Sequence, residues 1–487
     1  MKKNASGVSR RAFLQGAATV GVATAMPGAA TAEGTNPAVA QDAVQTTAHG
    51  APRPNIVYIH SHDSGRFLSP YGHAVGTPTL MKLATEGVLF RQAFSGAPTC
   101  SPSRACIATG QTAHEAGMFG LVNEGFKMPD YSHHLCHTLH AAGYHTVLAG
   151  LQHIAPRAEM IGFDEILPHH GSQVAEVAPG AAAFIQEKQK QPFFMDCGFF
   201  ETHRAYKPGR SFGYEENTPL DNPNFVKVPL TVPDNAETRK DIAGFNADAR
   251  VLDSGVKMVM DALEKAGLAE NTIVISTTDH GISFPQLKCN LYDNGWGISL
   301  IMRGPDVFRG GKVCDAMISQ LDIFPTLCDY LQIEKPQWLR GKSFLPVLRG
   351  ETKETNDAVF AEVNYHVAYE PKRAVRTQRW KYIKRYDGRT TDVLDNCDDG
   401  LSKRFLVANG WSSEKLEQEE ELFDLIFDPM EHTNLAKDPA HAETLNAMRK
   451  RLADWQHLTN DPLLHGPIPL PAGARATDPN ASGREHA

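Results

Sequence analysis

The sequence predicts an α/β fold: a large mixed, mostly parallel sheet sandwiched by helices, followed by a smaller C-terminal α+β subdomain built on an antiparallel sheet. Three observations predict it. Short apolar, β-branched runs at 55–59, 145–150, 192–200 and 272–278 read as strands buried on both faces, the usual pattern of parallel strands. Stretches of helical period at 79–86, 132–142 and 238–266 separate them, the last stopped by Gly267. From about residue 357 the pattern changes to short alternating strands, and a helix near 441–457 follows.

With 487 residues the chain can bury a large core, and its length suggests two or three units. The net charge is −8, and no Lys or Arg run beyond the N-terminus suggests a nucleic-acid surface, so a polyanionic substrate needs a local basic pocket. At the N-terminus, Ser9-Arg10-Arg11-Ala12-Phe13-Leu14 precedes an Ala/Gly-rich run ending in Ala30-Thr31-Ala32. That pattern reads as a twin-arginine signal, handled by the Tat translocase and cleaved near 32, with a periplasmic or extracellular product. No stretch reaches the length of a membrane span. The expected organisation is a signal at 1–32, a linker at 33–53, a catalytic domain at 54–350, an antiparallel subdomain at 351–460 and a Pro/Gly-rich tail at 461–487 that wraps the surface or frays. Eight irregularly spaced cysteines do not form the dense framework of a small secreted domain and read as buried thiols.

Taken in order, the strand runs end in chemistry-bearing residues. The first leads into His60-Ser61-His62-Asp63-Ser64-Gly65, and ligands of open α/β sheets bind beyond the carboxyl ends of strands. Next comes Cys100-Ser101-Pro102-Ser103-Arg104, with Thr109-Gly110 after it; Pro102 suits a first helical turn, which puts a candidate nucleophile at a helix start. The run at 145–150 ends in Leu151-Gln152-His153, that at 192–200 in Glu201-Thr202-His203, and that at 272–278 in Asp279-His280-Gly281, with Lys288 shortly after. The proline- and glycine-rich stretch 205–235 reads as an irregular excursion that rims the pocket. Each polar group alone has an ordinary reading as a turn, a cap or a solvated side chain. Their shared place after strands sets them apart.

The string C-S-P-S-R-x-x-x-x-T-G closely resembles the sulfatase signature, and five motifs between about 54 and 456 stand in that family's order. The resemblance implies an alkaline-phosphatase-like fold and sulfate-ester hydrolysis. It implies that a formylglycine-generating enzyme oxidises Cys100 to formylglycine (3-oxoalanine), whose hydrate attacks sulfur. It further implies a divalent metal held by Asp63, Asp279 and His280, with His62 and position 100 completing the set, and catalytic roles for Arg104, His153, His203 and Lys288. Two positions depart from the family: His62 stands where it carries aspartate, and Leu151 where many members carry lysine. Calcium is the family metal and the first expectation, but two imidazoles suit manganese or zinc better. The strings H-D-S-G-R and Tyr365-His366-Val367-Ala368-Tyr369-Glu370-Pro371-Lys372-Arg373 resemble the heparan N-sulfatase (sulfamidase) branch, which implies a sulfated-glycan substrate bound by His366, Glu370 and Arg373, the arginine taking an anionic sugar group. Two other readings remain: a formylglycine-dependent phosphodiesterase or phosphonate monoester hydrolase, and a non-catalytic binder of sulfated glycans. The intact set Cys100, Arg104, His153, His203 and Lys288 argues against the binder.

Overall fold

The structure, a computed structural model, describes residues 53–207, 210–213, 218–411 and 418–481. The export signal expected at 1–32, and the linker up to residue 52, lie outside the described residues. All described residues fall within one compact unit.

Strands β1 (Asn55–Ser61), β2 (Val88–Phe90), β3 (His145–Gly150), β4 (Glu165–Ile166), β5 (Phe193–Gly198), β6 (Thr272–Thr278), β7 (Leu300–Arg303) and β8 (Lys312–Cys314) form an eight-stranded sheet. Its order is β8-β2-β7-β6-β1-β5-β3-β4. The run from β6 to β4 is parallel throughout, whereas β7 lies antiparallel to both its neighbours. All the parallel strands therefore end on one edge, where the motif residues collect.

Alternation along β1 explains the two layers. Ile56 and Tyr58 join a core that includes Phe194, Ile275, Phe324 and Leu327, while Val57 and Ile59 face Ala178, Val256 and Leu263 on the other side. Each fully buried aliphatic or aromatic side chain contributes about 1.5–3 kcal/mol, so both faces hold β1 in place. Helices α1 (Pro78–Glu86), α2 (Cys100–Thr109), α3 (Val174–Gln186), α4 (Ala236–Lys265) and α5 (Ile323–Leu331) form the layers. α4 starts two residues before its apolar period because the Asn235 side chain accepts from the Glu237 and Thr238 N–H groups. The helix expected from 132 begins at Leu135 instead, since His134 caps it by accepting from Cys136 N.

The C-terminal strands β9 (Val359–Tyr365), β10 (Tyr369–Arg376), β11 (Trp380–Arg385) and β12 (Glu420–Asp424) form the expected four-stranded antiparallel sheet. Between the last two runs helix α6 (Leu401–Ala408), and after them α7 (Ala442–Leu458) lays Leu445, Met448 and Leu452 against Val375, Tyr382 and Leu422. The opposite face, with Ala361, Val363 and Phe423, packs on Phe94, Trp296 and Met317, so this sheet shares a core with the rest of the fold. The tail does not fray as far as residue 481: Asp461 is fully buried, Tyr365 Oη donates to Ile468 O (2.8 Å), and Thr477 N donates to Val367 O (2.8 Å). All eight cysteines are buried and unpaired. Among the described residues no helix is long and apolar enough to cross a membrane.

Candidate active site

Cys100 opens α2 and is 1% exposed. The motif around it is an anchoring device. Ser103 Oγ donates to Asp279 O (2.6 Å) at the end of β6, and Gln320 Nε2 reaches Thr278 O (3.1 Å), so α2 is fastened to the sheet edge. Gly110 stops the helix in the left-handed region at φ 67°, where any side chain would collide with Leu339.

Below Cys100 two carboxylates lie buried together. Asp279 Oδ1 accepts from the backbone N–H groups of Asp63 (2.9 Å) and His280 (3.0 Å), which leaves Oδ2 to the Arg104 guanidinium (2.9 Å). Asp63, held at φ 54°, pairs through Oδ2 with Lys288 Nζ (2.9 Å). Burial raises the pKa of both acids, but Lys288 and the surrounding histidines hold Asp63 well below the usual carboxylate range, and His280 and Arg104 do the same for Asp279. Burial, helped by both acids, pushes the Cys100 thiol well above its ordinary value; as a thiol it stays protonated at neutral pH and is a poor nucleophile.

The donor set fits a divalent cation. His280 Nδ1–H donates to Gly281 O (3.0 Å), which leaves its Nε2 lone pair facing Cys100 Sγ (3.4 Å) and Asp63 Oδ1 (3.4 Å). A lone pair pointed at carboxylate oxygens is repulsive unless a cation lies between them. His62, Asp63, Cys100 and Asp279 also bring ligand atoms within 4.8 Å of one another. His62 Nδ1 faces Asp63 Oδ1 (2.7 Å) and Asp279 Oδ2 (3.3 Å), and to serve as a ligand through that nitrogen the ring must carry its proton on Nε2. Two oxygens and two imidazole nitrogens form a set better suited to manganese or zinc than to calcium.

Two further histidines face the cavity in defined tautomers. His203 Nδ1–H donates to Arg204 O (2.7 Å), and its Nε2 lies 3.4 Å from Lys288 Nζ. His153, at φ 54°, bonds Asn123 Oδ1 through Nε2 (3.2 Å) and keeps Nδ1 without a partner. Burial first, then His62 and Arg104, pushes its pKa well down, so Nδ1 is a free proton acceptor. Leu151 lines the same wall where the resemblance implies a lysine.

The cavity, about 280 Å³, is closed on the far side by residues of the C-terminal half. His366 lines it as expected. Glu370 and Arg373 do not: Glu370 is buried against Lys372 (2.9 Å) and Asn396 (2.8 Å), and Arg373 is fully buried, with a two-pronged pair to Asp461 (2.7 and 2.8 Å). Arg373 Nη1 also donates to Val363 O (3.1 Å) and Lys372 O (2.9 Å), so the guanidinium is committed inside the fold and does not face a sugar anion. The described part of 205–235 also stays away from the cavity, because it packs elsewhere, as where the turn Pro223–Phe225 meets α4.

Sequence reasoning missed three contributors. Asp398 accepts from Lys288 Nζ (2.7 Å) and Ser283 Oγ (2.6 Å) and lines the cavity; only the acid-rich string Asp395-Asn396-Cys397-Asp398-Asp399 hinted at it. Asn123 orients His153 from a loop with no motif. Behind Arg104, a buried relay runs from its Nη1 to His60 Nδ1, and from His60 Nε2–H to Asp196 Oδ1 (2.8 Å). Burial pushes the His60 pKa down, so the ring is neutral and its Nδ1 accepts from the guanidinium.

Comparison with known proteins gives the family and the fold. The family model "Sulfatase" matches residues 54–333, and "N-sulphoglucosamine sulphohydrolase, C-terminal" matches 286–408. The chain is similar to the N-sulphoglucosamine sulphohydrolase of Homo sapiens, 31% identical over 469 residues, covering 85% of this chain and 92% of that one. It is also similar to an ulvan-active sulfatase of Formosa agariphila, 28% identical over 458 residues, covering 83% and 74%. Among solved structures, a putative sulfatase from Bacteroides thetaiotaomicron superposes with a TM-score of 0.66 at 22% identity, covering 88% of this chain and 99% of that one, a likeness of fold.

Proposed function

Because the chain belongs to the sulfatase family and is a sulfuric ester hydrolase, we propose that it removes sulfate from amino sugars of sulfated glycans, N-sulfoglucosamine foremost, with position 100 converted to formylglycine. One observation carries the nucleophile: Cys100 sits at a helix start, inside a buried cluster of two carboxylates and two imidazoles, at the shared edge of parallel strands. The substrate reading is supported by the 31% identical relative and by the C-terminal family match.

When present, a divalent cation held by Asp63, Asp279, His280 and His62 supplies charge neutralisation at a sulfate oxygen, and the formylglycine hydrate supplies the attacking oxygen. The chain's own residues do the rest. Lys288 and Arg104 hold Asp63 and Asp279 ionised and in place behind Cys100, and offset the charge that those two carboxylates would otherwise turn against a sulfate. Lys288 Nζ–H faces the His203 Nε2 lone pair, so the departing nitrogen or oxygen takes its proton from Lys288, directly or passed through His203 Nε2. His153, whose Nδ1 has no partner and which groups with His62 and Cys100 within 4.8 Å through one ring nitrogen, takes a proton from the side of position 100. A formylglycine-generating enzyme is then a required partner. The residues 1–32 are proposed as the twin-arginine export signal, supported by the Ser9-Arg10-Arg11 string, with the mature chain periplasmic or extracellular.

Peptide mass spectrometry at Cys100, on protein co-produced with a formylglycine-generating enzyme, tests the nucleophile; an active protein with unmodified cysteine overturns it. Sulfate release from N-sulfoglucosamine, 6-O-sulfo-N-acetylglucosamine and p-nitrophenyl sulfate tests the substrate, and cleavage of O-sulfates alone moves the reading off N-sulfate. Elemental analysis of the protein as purified decides between calcium and manganese or zinc. An N-terminus of the native-host protein far from residue 33 contradicts the export proposal.

A further inference from the structure

Lys288 stands at the head of a loop that the C-terminal sheet holds residue by residue. The face of that sheet turned toward Phe94 and Trp296 carries Ala374, Ile383 and Phe423, and the strand period of two places Lys372 and Arg376 of β10, Lys381 of β11 and Glu421 of β12 on the same face. Charges in an apolar core are costly unless paired, and these meet one stretch of chain. Lys372 Nζ donates to Asn290 Oδ1 (3.0 Å), Lys381 Nζ to Leu291 O (3.0 Å), and Tyr292 Oη to the Glu421 carboxylate (3.2 Å). Asp293 takes the Arg376 guanidinium on both oxygens (3.0 Å each) and lies 2.6 Å from Lys381 Nζ, while its N–H donates to Glu431 Oε2 (2.6 Å). Burial raises the Asp293 pKa, but Lys381 and Arg376 hold it well below the usual carboxylate range, so it is ionised.

At its other end the loop is pinned to the nucleophile. Cys289 N donates to Pro98 O (3.0 Å), two residues before Cys100. Cys289 itself sits at φ 63°, in the left-handed region that a residue with a Cβ disfavours. Such a residue keeps its conformation only where its surroundings over-determine it, and relaxation here would turn the chain at the position next to Lys288. The pairs of Lys288 with Asp63 (2.9 Å) and Asp398 (2.7 Å) fix where its ammonium ends. The hold on residues 290–293 fixes where its backbone starts.

We propose that Lys381, Arg376 and Asp293, with the Lys372–Asn290 and Glu421–Tyr292 contacts beside them, are positioning residues for Lys288: the inner face of the C-terminal sheet is the template that sets the loop 289–293 and, through it, the point from which the Lys288 ammonium serves the departing atom. None of these residues lines the cavity, so they reach turnover only through Lys288. This rests on the reading above that Lys288 supplies the proton to the departing atom.

The test is a double-mutant cycle on the metal-loaded, Cys100-modified protein, read as kcat and KM for sulfate release with a melting curve for each variant. Lys381→Met is expected to lower kcat about tenfold and to leave KM within about twofold. Asn290→Ala combined with Tyr292→Phe removes no charge and leaves Lys372 its Glu370 partner (2.9 Å); it lowers kcat about threefold. In a Lys288→Met background neither change lowers kcat further, although each lowers the melting temperature as it does in the wild type. A role in the fold alone gives the same fractional loss of kcat in both backgrounds, and that result overturns the proposal. So does an unchanged kcat, or a raised KM alone, in the Asn290/Tyr292 variant, which decides the matter if Lys381→Met does not fold. Full activity in Lys288→Met overturns the role of Lys288 itself, and the positioning role with it.

Discussion

On the sheet side of the cavity, buried charges come in opposed pairs: Asp63 with Lys288, Asp279 with Arg104, and Asp398 reaching across to Lys288. On the C-terminal side the wall is held by hydrogen bonds through Asn396, from the Val367 and Ala368 N–H groups and to the Glu370 carboxylate, and His366 lines the cavity from it. The first arrangement is costly to desolvate and strong once assembled, which suits a site that must hold a sulfate and stabilise charge as a bond breaks. The second ties the turn at 395–396 to the turn at 366–368 and so fixes the shape of the wall. Ion pairs on one side and hydrogen bonds through Asn396 on the other thus shape one cavity.

Substitutions on the two sides should therefore separate. The largest effect is expected at Cys100: Cys100→Ala lowers kcat/KM on every sulfate by at least about 10⁴-fold, read by sulfate release. Next, Lys288→Met leaves Asp63 and Asp398 buried without their cation. We expect a loss of roughly 10²–10³ in kcat/KM on all substrates together with about 3–5 kcal/mol of stability in denaturant unfolding. A substrate-selective loss here would break the comparison. A smaller effect belongs to the relay behind Arg104: His60→Leu and Asp196→Asn each lower kcat about 10–100-fold with KM little changed, since they act through the orientation of the guanidinium. A raised KM with kcat unchanged would place them in binding instead.

The smallest effect on turnover, and a sharpening of the contrast, comes from Glu362. It is fully buried between His114 Nδ1 (2.8 Å) and Arg373 (3.6 Å), outside the cavity. Burial raises its pKa, but His114 and Arg373 outweigh that and bring it from 4.5 down to about 2. Its contribution, on the order of 3 kcal/mol, is present above the unfolded value and lost as pH falls from there toward 2. Glu362→Gln should therefore flatten the fall in melting temperature between about pH 4.5 and pH 2 and leave the choice among sulfates untouched. A changed choice would mean that the C-terminal sheet transmits to the wall.

Much of the sheet side was legible in the sequence. Asp63, His153, His203 and Asp279 follow buried runs whose period is local, and the Cys100 string carries its own helix start. The far wall was legible at His366 and misread at Glu370 and Arg373. Nothing near Arg373 in the chain announces Asp461, which meets it from 88 residues away. Asp398 lies 110 residues from Lys288, in a loop without periodicity, so no spacing rule could pair them. The Asp196 end of the relay is hidden for a different reason, because an acid inside an apolar run reads as an exception until His60 on the neighbouring strand is seen beside it.

The sequence by itself determined that a mixed sheet would gather Cys100, Arg104, two acids and four histidines on one edge, because strand burial and strand-end placement follow from the order of residues along a few turns of chain. Only the tertiary structure decided which charges are spent on each other and which are left for a ligand. That is settled by carboxylates and cations meeting across 88 and 110 residues in a medium where an unpaired charge is not tolerated, as Arg373 with Asp461 and Lys288 with Asp398 show.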